Sequence, residues 1–223
     1  MASLLFDVDG TLIDSAPGIF AGMRTTLAGV GRPIDPDEDL TWAIGMPIRE
    51  LVAKLLGDAA DGEVEATIRT YRTYISEHGI KQASVYPAIP EVLAQLGGDH
   101  RLFVCTSKLG HFAERQLTAL GIAGPFTKIY GAEAGGRFDD KGELIEHILA
   151  SEGVDAADAC MIGDRRHDVL AAARHAIPCV GVTWGYGSVA ELEEAGAHVL
   201  CHETADLPAV LARVLDGSRA ARA

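Results

Sequence analysis

Basic side chains are scarce in this chain. Its 223 residues include 19 Lys and Arg against 32 Asp and Glu, which gives a formal net charge of −13 at neutral pH. So large a negative charge repels polyanions, and it argues against a nucleic-acid backbone or an anionic membrane surface as the main partner. Apolar residues nevertheless make up 48% of the chain, which is too large a share for a disordered protein.

Long apolar runs and paired cysteines are also missing. No apolar run approaches the roughly 18 residues that a membrane-spanning helix needs. The four cysteines are Cys105, Cys160, Cys179 and Cys201. None forms a C-x-x-C pair, so neither a zinc site nor a redox motif is indicated, and their apolar surroundings predict buried, reduced thiols. Because the N-terminus lacks the basic segment of a secretory signal, we expect a cytoplasmic protein.

Short apolar runs alternate with helical patterns along most of the chain. The runs that read as buried strands are residues 4–8, 102–105, 128–130, 159–162, 179–182 and 198–200. Helical patterns of about ten to fifteen residues separate most of them. Strands that alternate with helices predict an α/β fold, whose parallel sheet is covered on both faces.

One segment, residues 16–83, interrupts this alternation because it contains no convincing strand. Its helical patterns fall at residues 19–28, 38–43, 48–56 and 64–77. We therefore predict an all-helical insert between the first and second strands, with residues 1–15 and 84–223 forming the core domain. A single domain with a long helical crossover remains the alternative.

Two acids follow the first predicted strand. Asp7 and Asp9 are two residues apart, so their side chains share one face of an extended chain. Ligands of open parallel sheets bind at the carboxyl ends of the strands, and two adjacent carboxylates are unstable there without a cation or a proton. Gly10 permits a sharp turn, and its amide can face an anion. Taken alone, an Asp-x-Asp pair favours a loop or a helix cap.

Other polar residues follow later strands or begin helices. Thr106 and Ser107 end the second strand, Lys141 opens a helix, and Asp164 ends the fourth strand one helical turn before Asp168. Each has an ordinary structural explanation by itself. A lysine at a helix start is normally solvated, and acids at a helix N-terminus act as caps or offset the helix dipole.

The combination is far more specific than its parts. The sequence Asp-x-Asp-Gly-Thr at residues 7–11, the strand ending in Thr106, Lys141, and Gly-Asp-x-x-x-Asp at residues 163–168 together resemble the haloacid dehalogenase (HAD) superfamily. The resemblance covers nearly the whole chain and implies a Rossmann-like doubly wound parallel sheet. The helical insert is similar to that superfamily's C1 cap domain, and the motif at residues 7–15 is similar to the phosphoglycolate-phosphatase-like branch.

The resemblance also implies roles for the acids and a cofactor. Asp7 would be the nucleophile that forms an aspartyl-phosphate, and Asp9 would be first a general acid and then a general base. The implied cofactor is Mg²⁺, a hard cation that takes oxygen ligands. Its expected ligands are Asp7, the backbone carbonyl of Asp9 and Asp164, with Asp168 orienting bound waters or ligating more weakly.

The remaining implied contacts concern the substrate. Thr106, the Ser107 amide and Lys141 would hold the oxygens of the transferring phosphoryl group, and Lys108 would add a further phosphate contact. Arg49 lies in a loop similar to the substrate-specificity loop of C1 caps, where a guanidinium suits a second anionic group of the substrate. A solvated helix residue is the alternative explanation for Arg49.

The function implied is a Mg²⁺-dependent phosphatase for small phosphate monoesters, with phosphoglycolate as the first candidate. A sugar phosphomutase of the same superfamily and a non-catalytic interaction module are the two alternatives. The expected partner is a small phosphorylated metabolite, with no nucleic acid and no membrane, and the protein is expected to be a monomer or a homodimer. The sequence leaves the identity of the substrate and the oligomeric state open.

Overall fold

The computed structural model of the chain describes residues 1–220, with side chains described as far as residue 217. The strands in this part of the chain are β1 (Ser3–Phe6), β2 (Ile13–Asp14), β3 (Ser84–Val85), β4 (Arg101–Leu109), β5 (Lys128–Ala132), β6 (Ala159–Gly163), β7 (Cys179–Val182) and β8 (Val199–Cys201). The α-helices are α1 (Ala16–Gly29), α2 (Ile48–Leu56), α3 (Asp61–Glu77), α4 (Ile89–Asp99), α5 (Gly110–Ala119), α6 (Lys141–Glu152), α7 (Arg166–Ala173), α8 (Val189–Ala195) and α9 (Leu207–Ala220).

Six of the strands form one parallel sheet in the order β5-β4-β1-β6-β7-β8. Counted among themselves along the chain, these strands have the order 3-2-1-4-5-6, which is the doubly wound arrangement. The residues of β1, β6 and β7 are all buried, as expected when helices cover both faces. The predicted α/β, Rossmann-like fold is confirmed.

The sheet separates two layers of apolar side chains. Leu4 and Phe6 of β1 point to one face and pack in the cluster formed with α4, α5 and α9, whereas Leu5 points to the face covered by α6, α7 and α8. This alternation follows from the two-residue repeat of a strand. Burial on both sides holds β1 rigidly, and the chain that follows β1 begins from a fixed position.

Residues 16–83 form a helical insert whose two connections to the rest of the chain lie side by side. The insert contains α1, α2 and α3, whose apolar side chains make clusters of their own. The strands on either side of it, β2 and β3, pair antiparallel, with Ile13 opposite Val85 and Asp14 opposite Ser84. The sequence analysis missed this pair because two-residue strands are too short to show an alternating pattern.

The helix predicted at residues 38–43 is wrong. Only a 3₁₀ turn at Thr41–Ala43 forms there. The carboxylate of Asp35 accepts a hydrogen bond from the Asp37 amide, and that of Asp39 accepts from the Thr41 amide. Side-chain acceptors of this kind satisfy backbone amides locally and so compete with helical hydrogen bonds.

All four cysteines are buried and free, as predicted. Among the described residues, no helix has both the length and the apolar character needed to cross a membrane.

Leu93→Ala tests the packing of α4 against the sheet. Leu93 is completely buried, so the truncation should lower the free energy of unfolding by about 2–5 kcal/mol. Leu170→Ala in α7 is the matched control, because this leucine is 44% exposed and its truncation should change the free energy by less than about 0.5 kcal/mol. Urea unfolding followed by circular dichroism measures both, and equal losses in the two variants would contradict the packing described.

Candidate active site

Acidic side chains meet where the chain leaves β1 and β6. These strands are neighbours in the sheet, and Asp7 and Asp164 follow them directly. One carboxylate oxygen from each of Asp7, Asp164 and Asp168 lies within 4.8 Å of the others, and all three side chains are buried. We call these three residues the acid cluster. Their position corresponds to the point where strand order reverses, the usual ligand crevice of such sheets.

The loop after β1 is wound tightly enough to reach Asp164. The Val8 carbonyl accepts hydrogen bonds from the amides of three residues, Thr11 to Ile13. Gly10 has a φ of +80°, and a Cβ atom there would lie 2.1 Å from Asp164 Oδ2, so only glycine fits. The Thr11 hydroxyl donates to Asp164 Oδ1 at 3.2 Å. The expected turn at Gly10 is therefore present, and it places the loop against the acid cluster.

A second segment, residues 184–187, fixes Asp164 from the other side. The Tyr186 amide donates to Asp164 Oδ2 at 2.8 Å. The Tyr186 hydroxyl accepts from the amides of Ser15 and Ala16, at 2.8 and 3.0 Å, and donates to Asp14 Oδ1 at 2.8 Å. Tyr186 thus connects the acid cluster to the start of the helical insert. The sequence analysis gave it no role, although glycines on both sides of it signalled a close approach of the backbone.

Lys141 provides positive charge inside the acid cluster. Its Nζ atom lies 3.0 Å from Asp7 Oδ2 and 2.5 Å from Asp168 Oδ1, and the side chain is buried. Burial alone would lower the pKa of Lys141, but the charges of Asp168 and Asp7 outweigh it and raise that pKa. Lys141 is therefore held protonated. Asp140 caps its helix by accepting from the Gly142 and Glu143 amides, which fixes the start of α6.

The acid cluster holds three carboxylates against one ammonium group, which contacts only Asp7 and Asp168. Burial raises the pKa of Asp164 well above its usual value, and the charges of Asp168 and Asp7 raise it further. Burial also raises the pKa of Asp168, against the opposing effect of Lys141. Among the described residues, Asp7 Oδ1 is buried without a hydrogen-bond partner. Excess negative charge, oxygen ligands and an unsatisfied carboxylate oxygen together fit a hard divalent cation such as Mg²⁺.

The Asp9 side chain turns away from the acid cluster. Its Oδ1 atom lies 2.6 Å from Lys108 Nζ, and the same ammonium donates to Gln116 Oε1 at 2.5 Å. Lys108 was expected to contact phosphate, whereas here it pairs with Asp9. The Asp9 carboxylate is therefore engaged by Lys108 and is not one of the three acid-cluster side chains. Gln116 in turn donates to the carbonyl of Ile80, in the helical insert.

Residues 106–108 line one cavity together with Asp7 and Asp9. The expectation that Thr106 ends its strand is wrong, because β4 continues to Leu109 after its pairing with β5 shifts register beyond Thr106. The shift still leaves Thr106, Ser107 and Lys108 facing the cavity. Five residues assigned to the reacting phosphate therefore lie together along the wall of this cavity: Asp7, Asp9, Thr106, Ser107 and Lys108.

Arg49 is placed elsewhere. Its guanidinium forms an ion pair with Glu65 of α3, its side chain is 54% exposed, and it is not among the cavity-lining residues. Arg72, on α3, lines the cavity instead. Arg72 is four residues after Ile68 and three before Ile75, so it lies on the apolar face of its helix. A charged residue at an apolar position of the helical repeat was the sequence signal that could have identified Arg72.

Comparison with known proteins agrees with this site. Residues 4–182 match the family model of the haloacid dehalogenase-like hydrolases. The chain belongs to this family. The predicted superfamily is thereby confirmed.

Similar proteins carry several names. A 5′-nucleotidase of Pseudomonas aeruginosa is 39% identical over 96% of this chain and 95% of its own length. Tyrosine-protein kinase PtkA of Mycobacterium tuberculosis is 36% identical over 89% of this chain and 68% of its own. A phosphoglycolate phosphatase of Caulobacter vibrioides is 30% identical over 93% and 89% of the two chains.

Among solved structures, a predicted phosphatase from Clostridium acetobutylicum superposes with a TM-score of 0.91 at 30% identity, covering 95% of this chain and 98% of its own. The family match and the phosphatase relatives confirm the predicted enzyme class, a phosphoric monoester hydrolase.

Tyr186→Phe tests the connection between the acid cluster and the helical insert. The variant keeps the ring but removes three hydrogen bonds and leaves the Ser15 amide without its partner, which should lower the free energy of unfolding by about 1–3 kcal/mol. Tyr74→Phe is the matched control, because within the described residues the Tyr74 hydroxyl makes no hydrogen bond, and a change below about 0.5 kcal/mol is expected. Equal effects in urea unfolding would show that the Tyr186 hydroxyl does not hold the two segments together.

Proposed function

We propose that this protein is a Mg²⁺-dependent phosphatase that hydrolyses small phosphate monoesters through a phosphorylated Asp7. The observation that carries the proposal is the state of the Asp7 carboxylate. Its Oδ2 atom is held 3.0 Å from Lys141 Nζ, while its Oδ1 atom is buried without a partner at the wall of the cavity. An oriented carboxylate with one unengaged oxygen is suited to nucleophilic attack.

In the first half of the reaction, Asp7 Oδ1 attacks phosphorus and the ester P–O bond breaks. The contact of Lys141 with Asp7 Oδ2 limits the rotation of the attacking carboxylate. The departing oxygen needs a proton, and Asp9 is the second acid on the cavity wall. Its carboxyl delivers that proton to the alkoxide, so that the alcohol leaves neutral.

In the second half, water attacks the phosphorus of the aspartyl-phosphate. Asp9 takes the proton from this water, and the bond between phosphorus and the Asp7 oxygen breaks to release phosphate and free Asp7. The contacts of Asp9 with Lys108, and of Lys108 with Gln116, hold the carboxyl in position for both transfers. Thr106, the Ser107 amide and Lys141 are the groups available to the phosphoryl oxygens.

The acid cluster and the backbone carbonyl of Asp9 are the groups that would hold Mg²⁺. When bound, the ion would supply positive charge to the phosphoryl group and bring it next to Asp7 despite the net charge of the protein. Asp168 is the weakest of the candidate ligands, because Lys141 engages its Oδ1 atom and the Arg165 amide donates to its Oδ2 atom, whereas Asp7 keeps Oδ1 unengaged.

The helical insert would act as the cap domain, residues 16–83, over a core of residues 1–15 and 84–223. Its side chains and those of the core line the same cavity, and its two connections to the core are adjacent at β2 and β3. The enzyme would act in the cytoplasm on a phosphorylated metabolite, as a monomer or a homodimer, and without nucleic acid or membrane. Relatives named for nucleotides and for phosphoglycolate leave both leaving groups as candidates.

Asp7→Asn should abolish phosphate release. We expect the wild type to release inorganic phosphate from phosphate monoesters with Mg²⁺ and the variant to lose at least about a thousandfold in kcat/KM, because an amide oxygen is a poor nucleophile. Asp99→Asn, an exposed acid at the end of α4, is the control and should keep full activity. Full activity in Asp7→Asn, or isomerisation of hexose 1-phosphates in place of phosphate release, would overturn the proposal.

Asp164→Asn should reduce the rise in Tm that Mg²⁺ produces. Ligand binding to the folded state raises its stability in proportion to RT ln(1 + [L]/Kd), so Mg²⁺ should raise the Tm of the wild type. The variant removes one buried charge, and at the same Mg²⁺ concentration it should lose at least about half of that rise. Differential scanning calorimetry measures both, with Asp99→Asn again as the control, and an unchanged rise in Asp164→Asn would exclude it as a ligand.

A further inference from the structure

The wall that the helical insert gives to the cavity is mostly apolar. It includes Ile19, Met23, Ile44, Met46, Leu51 and Ile75. The phosphoryl group occupies the opposite, polar wall if Asp7 is the nucleophile. The apolar wall therefore faces the part of the substrate that leaves. The cavity is open to solvent, so part of a leaving group larger than a few atoms can lie at its mouth.

Two hydrogen-bond donors interrupt this apolar wall. Tyr71 and Arg72 are consecutive residues of α3, and both line the cavity. Within residues 1–217, neither the Tyr71 hydroxyl nor the Arg72 guanidinium has a hydrogen-bond or ion-pair partner. A half-buried guanidinium beside apolar side chains is unfavourable without an acceptor. The protein supplies no acceptor to either donor within these residues, so both donors are available to a ligand in the cavity.

The ligand must satisfy both features of this wall. A glycolate leaving group offers Arg72 a carboxylate, but it is too short and too polar to cover the apolar side chains. A nucleobase has flat, weakly hydrated faces that pack on aliphatic and aromatic groups, and its edge carries acceptor atoms for donors such as a hydroxyl and a guanidinium fork.

We propose that Tyr71 and Arg72, with the apolar wall around them, bind the base of a nucleoside 5′-monophosphate whose phosphate lies at Asp7. This inference rests on the proposed phosphatase function and adds the substrate class to it. Arg72, and not Arg49, is then the residue of the insert that determines specificity. The base would be held by packing and by two donors, while the sugar spans the space to Asp9.

The experiment is steady-state kinetics with Mg²⁺ on UMP, dTMP and phosphoglycolate. We expect kcat/KM for the nucleotides to exceed that for phosphoglycolate by at least about tenfold. Arg72→Ala should raise KM for the nucleotides by about tenfold or more and change kcat much less, because the contact is made equally in the ground and transition states. Arg72→Lys should recover part of the loss, and Tyr71→Phe should show a smaller rise in KM.

Arg49→Ala is the matched control, since this arginine pairs with Glu65 away from the cavity and its removal should leave all three substrates unaffected. Circular dichroism melts verify that each variant is folded. A preference for phosphoglycolate, or a nucleotide KM that does not change in Arg72→Ala, would overturn the nucleotide assignment while leaving the phosphatase function intact.

Binding separates this proposal from the function on which it rests. Calorimetric titration of UMP into the Asp7→Asn protein should show binding that Arg72→Ala weakens in the same background. Should the wild type release no phosphate from any substrate, including p-nitrophenyl phosphate, the phosphatase proposal fails. Arg72-dependent binding of UMP would then still support the base site, and absence of binding would refute it.

Discussion

Three carboxylates buried at one edge of the sheet, with a single ammonium group among them, set the conditions for the rest of the structure. Burial raises the pKa of Asp164, and the like charges of Asp168 and Asp7 raise it further. Lys141 offsets part of the negative charge by contacting Asp7 and Asp168. The negative charge that Lys141 does not offset would be neutralised by a small cation. The proposed affinity for a cation would come from the repulsion among these carboxylates, which lowers the stability of the free protein.

The fold has to hold these groups together against their repulsion. Asp7 and Asp164 follow neighbouring strands buried on both faces, and the Asp7 amide donates to the Ile162 carbonyl across the gap between them. Gly10 and Tyr186 bring two loops against Asp164 from opposite sides. The cluster is therefore held in place by backbone as well as side-chain hydrogen bonds.

The sequence predicted the sheet and the acids well because both follow from short-range pattern and topology. Apolar runs mark buried strands, and the carboxyl ends of parallel strands converge, so Asp7 and Asp164 could be paired from 157 positions apart. The choice of Arg49 failed for a different reason. Whether an arginine on a helix faces a neighbouring helix or a cavity depends on how the helices pack. Arg49 forms an ion pair with Glu65, whereas Arg72 lines the cavity. The helix predicted at residues 38–43 is absent because side-chain carboxylates accept hydrogen bonds from backbone amides there, and the apolar periodicity used for the prediction does not include such contacts.

The adjacent β2 and β3 strands have a consequence for how this enzyme can be altered. Because Ile13 is opposite Val85 and Asp14 is opposite Ser84, the two ends of the helical insert are as close as paired strands, about 5 Å apart. A different helical segment could be spliced between these ends without any linker to span a gap. A chimera of this kind would keep the acid cluster and exchange only the apolar wall that the insert gives to the cavity. The acid cluster and the wall that the insert gives to the cavity are therefore separable parts of one chain.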